Sequence, residues 1–167
     1  AGPIRTDGGE ELLAYLPSLV TDNLNALSDP NYSHQYYVDG PSTYGDVFFN
    51  NNWHTVLVGA LGKGGQGLFA LDITNPKGTV TGYPSFDEAN ASDLVLWEFS
   101  DADDRDMGYS YGDPVIVRMN NGEWAAIFSN GYNNTENDGI SSITGNAVLY
   151  VVNIETGALI SKLDTAA

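Results

Sequence analysis

The chain has 167 residues, 42% of them hydrophobic, and carries 22 acidic against 6 basic side chains for a net charge of −16. That composition supports a buried core and argues against a disordered chain, while so negative a surface argues against a nucleic-acid backbone or an anionic lipid face as partner; it reads first as a solvated acidic surface that keeps the protein soluble, with cations as the natural counterpart. There is no cysteine, which removes disulfides and thiolate chemistry, and no apolar run reaches membrane-spanning length or reads as a signal peptide.

In chain order, Glu11 to Leu16 reads as a strand, and Pro17 to Leu27 has weak helical spacing (Leu19, Val20, Leu24, Leu27) that ends at Ser28-Asp29-Pro30. With Tyr32, Tyr36 and Tyr37 this stretch reads as a linker packed on the rim of a propeller. Strand-like runs then fall near 42–49, 53–60, 67–73 and 94–99, the first two joined across Asn50-Asn51-Asn52 and the next pair by the Gly-rich stretch Gly62 to Gly67. A phosphate-cradling loop needs a following helix, and here a strand comes next, so the Gly-rich stretch reads as a hairpin.

A second set of runs falls near 114–119, 124–129, 147–154 and 158–163, with turns at Asn121-Gly122 and Thr156-Gly157. Asn-Gly between two such runs is a strong signal for a tight primed hairpin turn. The two sets are altered copies of one pattern: Trp53 and Trp124 each head the second run, and Gly-Pro or Asp-Pro precedes the first. Four short strands repeated in this way are the signature of a β-propeller, whose blades are four-stranded antiparallel sheets. The middle runs are apolar at every position (Val56-Leu57-Val58 and Leu149-Tyr150-Val151-Val152), so both faces of each sheet need cover, which stacked blades supply.

The expectation is therefore an all-β, quinoprotein-like propeller of about two four-stranded blades plus an N-terminal strand and linker. Residues 1–40 form the end of a preceding blade plus a linker with a short helix, 41–104 blade one and 105–167 blade two. Two blades do not close a ring of four to eight, so the chain reads as a fragment of a larger propeller whose other blades are its first partners.

Candidate sites lie in oxygen-rich loops. Asp101-Ala102-Asp103-Asp104-Arg105-Asp106 places four carboxylates in an interblade loop, and Asp101, Asp103 and Asp106 are the residues there best suited to calcium, which takes six to eight hard oxygens. Arg105 and Asp106 break the EF-hand pattern, and the competing reading is a polar turn whose Asp side chains cap backbone N–H groups and pair with Arg105. The insertion Asn133 to Gly139 is a second oxygen-rich loop, read as a long solvated hairpin. His34 and His54 lack zinc spacing, and Ser42, Ser110 and Ser129 lack the Gly-x-Ser-x-Gly context of a nucleophile, so no catalytic set is expected. Trp53, Trp97 and Trp124 read as blade core rather than a ligand-stacking set.

The blade phrases also carry a resemblance. Glu10 to Pro17 (EELLAYLP), Tyr37-Val38-Asp39-Gly40, Trp53 to Gly59 (WHTVLVG), Gly67 to Pro76 (GLFALDITNP), Val95 to Phe99 (VLWEF), Met107-Gly108-Tyr109-Ser110 and Ala147 to Val152 (AVLYVV) resemble, in order, the C-terminal propeller of the PilC/PilY family of type IV pilus biogenesis factors and tip-associated adhesins. The resemblance implies an exported, non-enzymatic protein of a Gram-negative type bacterium, at the cell surface, the pilus tip or the periplasmic side of the outer membrane. It implies roles in pilus biogenesis, control of retraction and adhesion, with pilus components and a host or surface ligand as partners. It also implies a calcium-binding, Asp-rich propeller loop of EF-hand type, to which this chain has no clean match. The phrases Ala70 to Thr74 and Val152 to Gly157 equally resemble quinoprotein repeats, which keeps a quinoprotein-like dehydrogenase as an alternative. A calcium-responsive binding module built on Asp101 to Asp106 is the other.

Overall fold

The computed structural model describes residues 9–135 and 140–166. Among the described residues eight strands form two four-stranded antiparallel sheets, each a simple meander. Blade one comprises β1 (Ser42–Phe49), β2 (Asn52–Ala60), β3 (Gly67–Asp72) and β4 (Val95–Ser100), and blade two β5 (Val115–Arg118), β6 (Trp124–Ser129), β7 (Val148–Asn153) and β8 (Leu159–Asp164). Every strand lies within one or two residues of its expected place.

Turn chemistry sets the registers. Asn50 and Asn51 both take positive φ (50° and 60°) and join Phe49 to its cross-strand partner Asn52, the two-residue primed turn that matches strand twist. The Asn121-Gly122 turn differs from expectation. Only Gly122 takes positive φ (92°), and its N–H donates to Met119 O while Met119 N–H donates to Glu123 O, so a longer turn with a bulge glycine replaces the primed one. The 73–94 connection between β3 and β4 is organised by the buried Asn75, whose amide donates to Val80 O and Tyr83 O and accepts from Val80 N–H.

The main core lies between the sheets. Val47, Val56, Val58, Leu68, Ala70, Trp97 and Phe99 of blade one meet Ala126, Phe128, Val148, Tyr150 and Val152 of blade two, with Phe99 touching Phe128 and Tyr150 at ring separations of 5.4 and 5.2 Å. Apolar burial of this kind contributes about 1.5–3 kcal/mol per large side chain. Trp97 crosses the interface: its indole Nε1 donates to Ile154 O at 2.9 Å. The turn between β7 and β8 lies so close to that ring that a Cβ on Gly157 (φ 69°) would stand 2.7 Å from it, so glycine is required there.

The other face of blade one packs on the N-terminal segment. Val20, Leu61, Phe69 and Leu71 form a second core with Tyr15, Leu19 and Tyr37 around it. Residues 18–28 are a 3₁₀ helix, and the expected strand at 11–16 is not formed. This stretch acts as a cover rather than a sheet edge: Tyr15 lays its ring 5.0 Å from Phe69 and donates its hydroxyl to Glu98 Oε1, which also accepts from Ser18 N–H.

The outer face of blade two has no such cover among the described residues. The register makes the equivalence explicit, because β3–β4 and β7–β8 each carry one bulge, after Ala70 and after Val151. The cross-strand pair Leu149–Leu163 therefore stands where Leu68–Phe99 stands in blade one. Leu68 and Phe99 are buried against blade two, whereas Leu163 is 53% exposed, Leu149 across from it is exposed, and so is Val115 on the far strand of the same sheet.

The two repeat tryptophans correct an expectation. Trp53 and Trp124 do head the second strands of successive blades, but Trp53 is 58% exposed and Trp124 only partly buried. Strand starts lie at the rim, where a ring finds a neighbour only on one side, and the two indoles meet edge to face at 6.1 Å. Trp97, on a fourth strand, is the tryptophan that fills the core.

Candidate functional site

The acidic loop after β4 folds on itself before it meets anything else. Asp103 N–H and Asp104 N–H both donate to Ser100 O, Asp103 Oδ2 accepts from Ser100 N–H at 2.9 Å, and Asp104 Oδ1 accepts from Asp106 N–H at 3.0 Å. These are the local side-chain-to-backbone bonds that make Asp a turn residue.

The loop then grips blade two. Lys162, on β8, places Nζ 2.7 and 2.9 Å from the two oxygens of Asp104 and 2.6 Å from Asp106 Oδ2. Tyr150 donates its hydroxyl to Asp104 Oδ1 at 3.0 Å, and Ser142 donates its hydroxyl to Asp106 Oδ1. Backbone ties complete the junction, since Asn130 and Asn134 both donate their amides to Asp106 O and Asn146 O. Asp101 Oδ2 accepts from Ile140 N–H at 2.5 Å. Two loops that read as independent in the sequence are thus one junction, and Asn134, expected in a solvated hairpin, is buried. Residues 136–139 of that hairpin lie outside the described residues.

Electrostatics is set by this geometry. Burial opposes ionisation of Asp106, but hydrogen bonds from Lys162 and Ser142 and the charges of Lys162 and Arg105 overcome it and hold the carboxyl below its ordinary value. Burial likewise opposes the charge on Lys162, and the two carboxylates outweigh it and raise the ammonium above its ordinary value. Tyr150 is pushed up by burial and then by the neighbouring charge of Asp104, so it serves as a proton donor throughout the usual pH range.

The three residues proposed from sequence as calcium ligands are not brought together. Asp101 is turned to Ile140, Asp103 caps Ser100 and Asp106 joins Lys162, and no group of three or more His, Asp or Glu side chains placed to hold a metal occurs among the described residues. An ammonium stands between the paired carboxylates where a divalent ion would otherwise relieve their repulsion. Asp104 and Lys162 are the members that sequence reasoning missed. The available signal was one lysine in a strand of a chain with 6 basic residues.

A second polar pair was also missed. His54 Nδ1 lies 2.7 Å from Asp72 Oδ2 with the imidazole stacked on Phe49 at 3.8 Å, and the other Asp72 oxygen accepts from Thr74 N–H. This is the histidine–carboxylate half of a hydrolytic triad, but Nε2 is sealed from solvent and has no hydrogen-bond partner. A hydroxyl nucleophile would have to sit at that atom. His34 is exposed and stacks edge to face on Tyr36, far from any such role.

Comparison with known proteins agrees with this geometry. Residues 5–167 match the family model described as the PilY1 beta-propeller domain. The chain is 46% identical over 158 residues to a type IV pilus biogenesis factor PilY1 homolog of Xylella fastidiosa, covering 95% of this chain and 9% of that protein. It is 39% identical over 159 residues to the type IV pilus biogenesis factor PilY1 of Pseudomonas aeruginosa, covering 93% of this chain and 12% of that protein. The crystal structure of the Pseudomonas aeruginosa PilY1 C-terminal domain superposes with a TM-score of 0.67 at 37% identity, covering 93% of this chain and 26% of that one. The chain thus spans about a tenth of the length of these curated relatives. Two stacked four-stranded blades, matched over nearly their whole length, make this chain a member of the PilY1 β-propeller family.

Proposed function

We infer that this chain is a blade pair in the propeller of a type IV pilus biogenesis factor, a non-enzymatic scaffold that acts at the surface of a Gram-negative type bacterium in pilus assembly, control of retraction and adhesion. The observation that carries the reading is the family match over residues 5–167, together with two blades locked by the hydrogen bonds and ion pairs of Lys162 with Asp104 and Asp106. Further blades of the intact protein are the first partners, because the outer face of blade two repeats the pattern that blade one buries.

The test is genetic. Cells that lack the intact protein are expected to lose surface pili and twitching motility, with pili restored when the retraction motor is also removed. Normal piliation of the deletion strain would sink the reading.

A further inference from the structure

The outer rim between the blades carries aromatic surface that the core does not use. Phe48 and Trp53 are cross-strand partners with rings 5.5 Å apart, and Trp53 meets Trp124 at 6.1 Å. Phe48 and Trp53 are exposed, although large rings normally gain by burial. They border a cleft of about 250 Å³ that also includes Arg118 and Gly122. A neighbouring cleft of about 280 Å³ shares Phe48, Gly122 and Trp124 and adds Glu123 and Glu155. Each is near or below the lower end of roughly 300–1,000 Å³ typical of ligand pockets, so each accommodates about one ring.

The polar groups narrow the ligand. Arg118, the cross-strand partner of Trp124, has no ion-pair partner among the described residues. Glu123 accepts from the Asn121 amide at 2.5 Å and Glu155 from the Asn50 amide at 2.8 Å, which fixes both carboxylates while leaving acceptor sites open. An anion would meet two carboxylates and a chain of net charge −16, and a purely apolar ligand would leave all three polar groups unused, whereas a guanidinium that only donates beside carboxylates that only accept suits a ligand whose groups do both. The remaining chemistry is an uncharged ligand with flat C–H faces for the rings and hydroxyls for the polar rim. All these side chains stand on strands or on the short hairpin turns between them, Glu155 in the turn between β7 and β8, which preorganises them.

We propose that this rim is a binding site for a neutral oligosaccharide, with sugar rings stacked on Trp53 and Trp124 and hydroxyls held by Arg118, Glu123 and Glu155. The inference deepens the adhesive part of the reading above, and the two fail separately, since sugar binding is measured apart from pilus assembly.

The experiment titrates the intact protein with cellohexaose, maltohexaose and chitohexaose, following tryptophan emission and heat. At least one sugar is expected to give a saturable response that weakens about tenfold or more, some 1.4 kcal/mol, in Trp53→Ala and in Glu123→Gln. Both residues are solvent-exposed, so the variants keep the fold by circular dichroism, and cells carrying them still assemble pili. No response to any of the three up to saturation, a response unchanged in both variants, or a matching response to a proline-rich peptide with none to the sugars overturns the proposal.

Discussion

Replacement of Trp97 by alanine is expected to destabilise the protein by about 3–5 kcal/mol, the largest effect of any single tryptophan change. Trp97 is 7% exposed, lies in the core between the blades and spans the interface through its 2.9 Å hydrogen bond to Ile154 O. Alanine leaves a cavity, an unpaired carbonyl and a loosened turn at Gly157, three losses at one place. Trp97→Phe keeps most of the ring and is expected to cost clearly less. Trp53→Ala removes an exposed rim ring and is expected to cost least of the three. Equilibrium denaturation in urea with near-ultraviolet detection orders them; equal losses for Trp53→Ala and Trp97→Ala would place the core wrongly.

The second large effect belongs to Lys162. Lys162→Met leaves Asp104 and Asp106 facing each other without a counter-charge, for a loss of roughly 1–3 kcal/mol, between the limits for exposed and fully buried ion pairs because Lys162 is 27% exposed. Adding Asp106→Asn to Lys162→Met is expected to recover much of that loss, since the repulsion goes with the charge. The pH dependence has two signs. Asp106 is depressed below its ordinary 3.8, so its contribution is fully present above that value and is lost as pH falls through the folded value. Lys162 is raised above its ordinary 10.5, so its contribution is fully present below that value and is lost as pH rises through the folded value. Wild-type stability should show both edges, and Lys162→Met should lack the alkaline edge and blunt the acid one. Identical pH profiles for the two proteins would remove the junction from the energetics.

The strands were legible because local chemistry and tertiary demand agree in them. Asn50-Asn51 accepts positive φ, β-branched and aromatic residues fill the runs between turns, and the copied pattern separates the two blades. What escaped the sequence depends on which neighbour each face meets. Trp53 and Trp124 occupy matching repeat positions, yet matching position does not report burial at a strand start on the rim. Residues 11–16 have the composition of a strand and instead cover Phe69, because Glu98 captures Tyr15 and Ser18 from the opposite side of the chain. The Lys162 junction joins residues more than fifty positions apart, a relation that no local motif encodes.

The stacking of blades is expected to continue past the outer face of blade two, and hydroxyl-radical footprinting of the intact protein tests that most directly. Leu149 and Leu163 hold the register positions of Leu68 and Phe99 but are exposed within the described residues. In the intact protein they are expected to be as protected from oxidation as Leu68, while Tyr44, 74% exposed, reacts freely. Rapid oxidation of Leu149 and Leu163 in the intact protein, at rates comparable with Tyr44 after correction for intrinsic reactivity, would contradict a further blade on that face.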